Sequence, residues 1–116
     1  MAPYTKLPRR TRYLVQGDLI NALGGYKAIA AACLVTTDNV NKWKQNPEGS
    51  GQDIPVKHLQ TLLKLAGDNL SNISVQHLAD ELMQDHFLNL LHRRMIPDDK
   101  AYEIVSMLMG ENGGRP

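Results

Sequence analysis

The chain has 116 residues, 42% of them hydrophobic but only 5% aromatic, with a net charge of +1 and a single cysteine. That is enough apolar material for one compact domain, or a small domain with an appendage, and a core of Leu, Ile, Val, Ala and Met suits packed helices better than sheets. No run of 18 apolar residues exists, the basic start does not read as a secretory leader, and Cys33 alone excludes an intrachain disulfide, so a soluble protein of a reducing cytoplasm is expected.

The charge is unevenly placed. Residues 1–60 carry eight Lys or Arg against four acids, a surplus of four. Residues 61–116 carry five against eight, a deficit of three. A basic first half and an acidic second half fit a polyanion partner for the first half, or ordinary scatter of surface charge.

Residues 1–15 contain Pro3, Pro8 and the cluster Arg9, Arg10 and Arg12, have no helical period, and read as an extended basic arm. A first helix is expected from Gln16 or Asp18 to Leu23, with Asp18 as cap or first-turn acid and Gly24-Gly25 as its stop. A second is expected over Tyr26 to Cys33. A third starts at Thr36 or Thr37, either able to cap it, and reaches Lys44 or Gln45. The stretch Asn46 to Gly51, with Pro47 and two glycines, breaks the chain. Pro55 opens a fourth helix with Leu59, Leu62, Leu63 and Ala66 at helical spacing, ended by Gly67.

Ser74 looks like the cap of a long helix over Val75 to Arg94. Its stripe is Val75, Leu78, Ala79, Leu82, Met83, His86, Leu90 and Leu91. After Pro97, Asp98 or Asp99 starts a last helix with the stripe Ala101, Ile104, Val105, Leu108 and Met109, closed by Gly110. The expected fold is therefore all-α: a helix-turn-helix domain of four helices over 16–67, a C-terminal helical pair over 70–110, and a flexible tail over 111–116.

The segment Tyr26 to Gln45 carries the functional signal. A helix-turn-helix needs a small residue where its helices cross, apolar residues pointing inward from both, and a polar outer face on the second helix. Ala30 is the small residue. Ile29, Cys33, Val35, Val40 and Trp43 are the inward set, and the residues between Val35 and Gln45 are otherwise polar.

With those residues in place, the stretch from Gln16 to Gly67 resembles the Cro- and repressor-type helix-turn-helix regulators of phages and bacteria. The resemblance aligns Ala30 with the family's fifth motif position and Val35 with its hydrophobic turn residue. It aligns Val40 with the β-branched position and Trp43 with the bulky apolar residue near the second helix's end. It implies sequence-specific binding of double-stranded DNA, with Thr36, Thr37, Asp38, Asn41 and Lys42 facing the major groove and Lys27 and Lys44 near phosphates. Asp38 would accept from a cytosine amine or cap the helix. Arg9, Arg10 and Arg12 would lie along the backbone or in a minor groove, or form a solvated tail. The family's ninth position is usually Gly at positive φ, where this chain has Leu34: a leucine there costs about 1 kcal/mol, or the turn is built differently.

The acidic second half is expected to make a homodimer or to cover the first domain's core. Small helix-turn-helix proteins use two copies to read two half-sites. His58, His77, His86 and His92 lack ligand spacing, so neither metal nor cofactor is expected, and no motif supports an enzyme. The expectation is a DNA-binding regulator, a repressor by type, at the nucleoid. The competing reading is a helical protein-interaction module of antirepressor or adaptor type without DNA binding.

Overall fold

The computed structural model describes residues 6–108, and of Arg9 the backbone alone. Met109, Gly110, the tail over 111–116 and residues 1–5 of the expected arm lie outside the described residues. Those described form an all-helical protein: α1 (Arg9–Ala22), α2 (Tyr26–Cys33), α3 (Thr37–Trp43), α4 (Val56–Gly67), α5 (Ile73–Arg93) and α6 (Asp98–Leu108). None of these helices is long and apolar enough to cross a membrane.

The chain divides into two compact units, Pro8–Leu82 and a second that holds described residues 6–7 and 83–108. The division therefore falls inside α5, between Leu82 and Met83, and not in the polar connection after Gly67 where the sequence reading put it. The N-terminal half of α5 belongs to the helix-turn-helix unit, and its C-terminal half pairs with α6.

In the first unit α2 packs against α1, α3 and α4, and α1 also packs against α3. Val15, Leu19 and Ile20 of α1, Ile29, Ala30 and Cys33 of α2, and Val40 and Trp43 of α3 are all buried. So are Leu59, Leu62 and Ala66 of α4 and Val75, Ala79 and Leu82 of α5. Each set recurs at three- or four-residue spacing, which places it on one helical face.

α1 begins earlier than expected. The Pro8 carbonyl accepts from the amides of Thr11 and Arg12, both at 2.9 Å, so Arg9, Arg10 and Arg12 are helical and not an extended arm. Asp18 accordingly sits mid-helix and exposed instead of capping. The helix ends in a left-handed turn: Gly24 (φ 118°) and Gly25 (φ 92°) send their amides back to the carbonyls of Asn21 and Ile20 at 3.3 and 2.9 Å. A Cβ would strain both positions, and glycine relieves them.

Two further caps differ from expectation. Pro55 lies just outside α4 and is not its first residue. Asn72, not Ser74, caps α5: its Oδ1 accepts from the Val75 amide at 3.2 Å. Gln76 Nε2 donates to the carbonyls of Ala66 (2.7 Å) and Asn69 (3.0 Å), closing the end of α4.

In the second unit Leu88 of α5 and Ala101 and Val105 of α6 form a small core, flanked by Phe87, Leu91, Ile96 and Tyr102. Met95 turns the chain between the helices at φ 59°, and the Ile96 amide donates to the Leu91 carbonyl at 3.1 Å. His92 Nε2 and Asp98 Oδ1 meet at 3.2 Å across this turn. Asp85, expected on no apolar face, is buried and accepts from the Leu7 amide at 2.6 Å. The stripe read for α5 thus drifts past its midpoint: Leu88 is buried while His86, Leu90 and Leu91 are half-buried. Leu108, expected inward on α6, is exposed.

Candidate nucleic-acid interface

The site is built on α3. Thr36 caps it, with extended backbone and a hydroxyl that accepts from the Asn39 amide at 3.2 Å. That bond satisfies one amide a helix start leaves unpaired. Val40 is fully buried and Trp43 nearly so, and the Trp43 ring lies against that of His58 with centroids 5.4 Å apart. These two side chains root the helix and fix which of its sides faces the core.

The groove-facing candidates occupy that free side. Thr36, Thr37 and Asp38 are exposed, and Asn41 and Lys42 are half-buried. Asp38, Asn41 and Lys42 stand at i, i+3 and i+4, which stacks them along one face across a single turn. An α-helix with its side chains is about 10–12 Å across, which fits a major groove about 12 Å wide. Asn39, polar like its neighbours but not among the groove-facing candidates, is also exposed and flanks this face.

The phosphate candidates converge on the start of α2. The Lys44 ammonium sits 5.7 Å from the centroid of the Tyr26 ring, and Lys27, the next residue along α2 from Tyr26, is exposed. The electron-rich ring face holds the cation there without neutralising it. Gly17 of α1 lies against this corner, where a Cβ on it would stand 3.7 Å from the Lys44 Cβ, in ordinary contact. Tyr26 was not among the residues singled out from the sequence.

The arginine cluster is reassigned. Arg10 is exposed in the first turn of α1, a turn that holds no acidic residue. Cations at a helix start face the positive end of the helix dipole, which is unfavourable without an anion nearby. Arg12 is largely buried and pairs with Asp53 at 3.5 Å, fastening α1 to the loop that leaves α3. It is therefore a structural contact and not a cation held on a free arm. Arg9 lies in the same turn.

The turn between α2 and α3 is left-handed at Leu34 (φ 58°, ψ 45°), the conformation that the resemblance assigns to glycine. The amides of Leu34 and Val35 both donate to the Ala30 carbonyl, the second at 3.0 Å. Leu34 is 91% exposed, so its side chain gains nothing from burial to offset the backbone strain.

A second buried polar residue besides Asp85 escaped the sequence reading. Gln16, 3% exposed, donates from Nε2 to the Trp43 carbonyl at 3.0 Å, closing the C-terminal end of α3 from α1. Its signal was a polar residue set among Leu14, Val15, Leu19 and Ile20, but nothing local pointed to a carbonyl 27 residues away. The loop is closed from the other side by the Gln52 amide, which donates to the Lys42 carbonyl at 2.9 Å.

Among the described residues no group of three or more His, Cys, Asp or Glu is arranged to hold a metal ion. Cys33 is buried, and desolvation pushes its thiol above the ordinary value of 9.0. That disfavours the thiolate required for redox or nucleophilic chemistry.

No family model, no curated protein and no solved structure matches the chain.

Proposed function

We propose that the protein is a sequence-specific DNA-binding regulator that lays α3 in the major groove of double-stranded DNA. One observation carries the reading: α3 is anchored from one side by Val40 and Trp43 while Asp38 stands exposed on the opposite side, flanked by exposed Thr37 and by half-buried Asn41 and Lys42. Base edges are read by such groups, and phosphates by cations flanking them. Lys44 held over Tyr26, Lys27 in the first turn of α2, and Arg10 in the first turn of α1 supply those cations.

The chain acts as a homodimer in this reading. Seven helical residues contact too few base pairs for useful specificity, and a second copy doubles the site read. The hairpin of α5 and α6 offers the contact surface: an apolar groove lined by Phe87, Leu90, Leu91 and Ile104, with Met107 and Leu108 exposed on the same two-helix unit. Binding at the nucleoid and repression by occupancy follow from the same reading.

Selection of duplexes from a random pool, followed by binding at several salt concentrations, tests the proposal. A DNA-binding protein enriches a defined sequence, and its affinity falls steeply with salt as counterions are released. Absence of enrichment together with absence of salt-dependent binding overturns it.

A further inference from the structure

We propose that Asp38 is a specificity-determining residue, fixing one C·G base pair in the bound site by accepting a hydrogen bond from the cytosine N4 amine. The inference rests on the DNA-binding reading above and goes beyond it in assigning a base pair to a residue.

A first-turn aspartate has two ordinary roles, capping and a favourable place at the positive end of the helix dipole, and only capping would engage its oxygens in a hydrogen bond. Here Thr36 does the capping, its hydroxyl taking the Asn39 amide at 3.2 Å. Asp38 is exposed and takes no hydrogen bond or ion pair among the described residues. It stands on the side of α3 opposite Val40, with Asn41 and Lys42 following it at i+3 and i+4. On a helix that enters a groove, this places a carboxylate at the middle of the reading face.

A carboxylate there is selective by exclusion. It is repelled by phosphates and can only accept hydrogen bonds. In the major groove the donors are the amines of cytosine N4 and adenine N6, and the other polar groups are acceptors. The adenine amine lies between two acceptors, its own N7 and the O4 of the paired thymine, and both oppose a negative charge. The cytosine amine has acceptors on one side only, O6 and N7 of the paired guanine. Those two suit a cation, and Lys42 lies one turn along from Asp38. An acceptor-only group and a donor-only group at i and i+4 therefore match the donor and the two acceptors that a C·G pair displays side by side. Opposite charges on one helical face also explain how an acid is tolerated on a surface that meets a polyanion.

The test uses the full chain and an Asp38→Ala variant in parallel selections from a random duplex pool, with far-ultraviolet circular dichroism to confirm folding. The wild-type pool should fix a C·G pair that the Asp38→Ala pool leaves variable, with the other positions retained. The selected duplex is then remade with that cytosine replaced by pyrimidin-2-one, which lacks the amine. Wild type should lose about tenfold in affinity, whereas Asp38→Ala should show little change between the two duplexes and should bind unselected DNA more tightly than wild type. If Asp38→Ala enriches the same C·G pair, or if removal of the amine leaves wild-type binding unchanged, the assignment of Asp38 is wrong while the DNA-binding reading stands. If wild type enriches no sequence at all, both fall together.

Discussion

Gln16 and Trp43 are joined by a buried hydrogen bond from the Gln16 side-chain amide to the Trp43 carbonyl, 3.0 Å long, that ties the first helix to the end of the third. The last carbonyls of a helix have no partner within it. Burial of this one makes an outside donor necessary. Gln16→Leu keeps the volume and removes the donor, leaving the carbonyl desolvated and unpaired. The expected loss is about 1–3 kcal/mol of stability, read as a lower urea midpoint with an unchanged slope. Unchanged stability would show that the bond does not matter.

Leu34 should respond in the opposite direction. A leucine in the left-handed region costs about 1–2 kcal/mol, and the greater freedom of an unfolded glycine returns about 0.5–1 kcal/mol of that. With the side chain 91% exposed, no packing is lost on removing it. Leu34→Gly should therefore stabilise the protein by about 0.5–1 kcal/mol in urea unfolding. Leu34→Val, β-branched at the same φ, should destabilise it.

Much of this framework was legible in the sequence. α2 has the limits read from the Gly-Gly stop before it and the apolar run within it, because both signals are local. The outward side of α3 was legible for the same reason: Val40 and Trp43, three apart, fix which way the helix faces. What failed depended on partners far along the chain. Arg9 to Arg12 hold no apolar residue and follow Pro8, so they read as extended. Their helicity is supported by a pairing of Arg12 with Asp53, 41 residues on. The stripe of α5 was read as continuous, but the helix serves two cores, and its buried face shifts where one gives way to the other. Asn72 and Ser74 are both good caps two residues apart, and local preference could not choose between them.

Cys33 gives a pH signature. Burial raises its native thiol pKa above the ordinary 9.0, whereas the unfolded chain titrates near that value. Below pH 9 both states hold the proton and no stability is lost. As pH rises above 9 the unfolded state releases its proton first, so stability falls until the native value is passed. Cys33→Ala should lower stability at neutral pH by leaving a small void, yet flatten the decline above pH 9. Urea midpoints for both proteins across that range check the sign. Parallel curves would remove Cys33 as the cause.

The cations should separate from the base readers in salt titrations. Lys44→Ala and Arg10→Ala should each weaken binding to selected and unselected duplexes alike, and each should reduce the salt slope by about one. Asn41→Ala should weaken selected duplexes by about tenfold and leave the slope and the unselected affinity nearly unchanged. Equal effects of all three variants on both kinds of DNA would contradict the division of roles.

The most direct measurement of the central claim is a titration of the isotope-labelled full chain with its selected duplex, followed by backbone amide shifts. The account predicts the largest changes over Thr36 to Lys44 and a second group at Tyr26 and Lys27. Saturation with DNA that leaves the amides of α3 unmoved, or that moves those of α5 and α6 in their place, would contradict it.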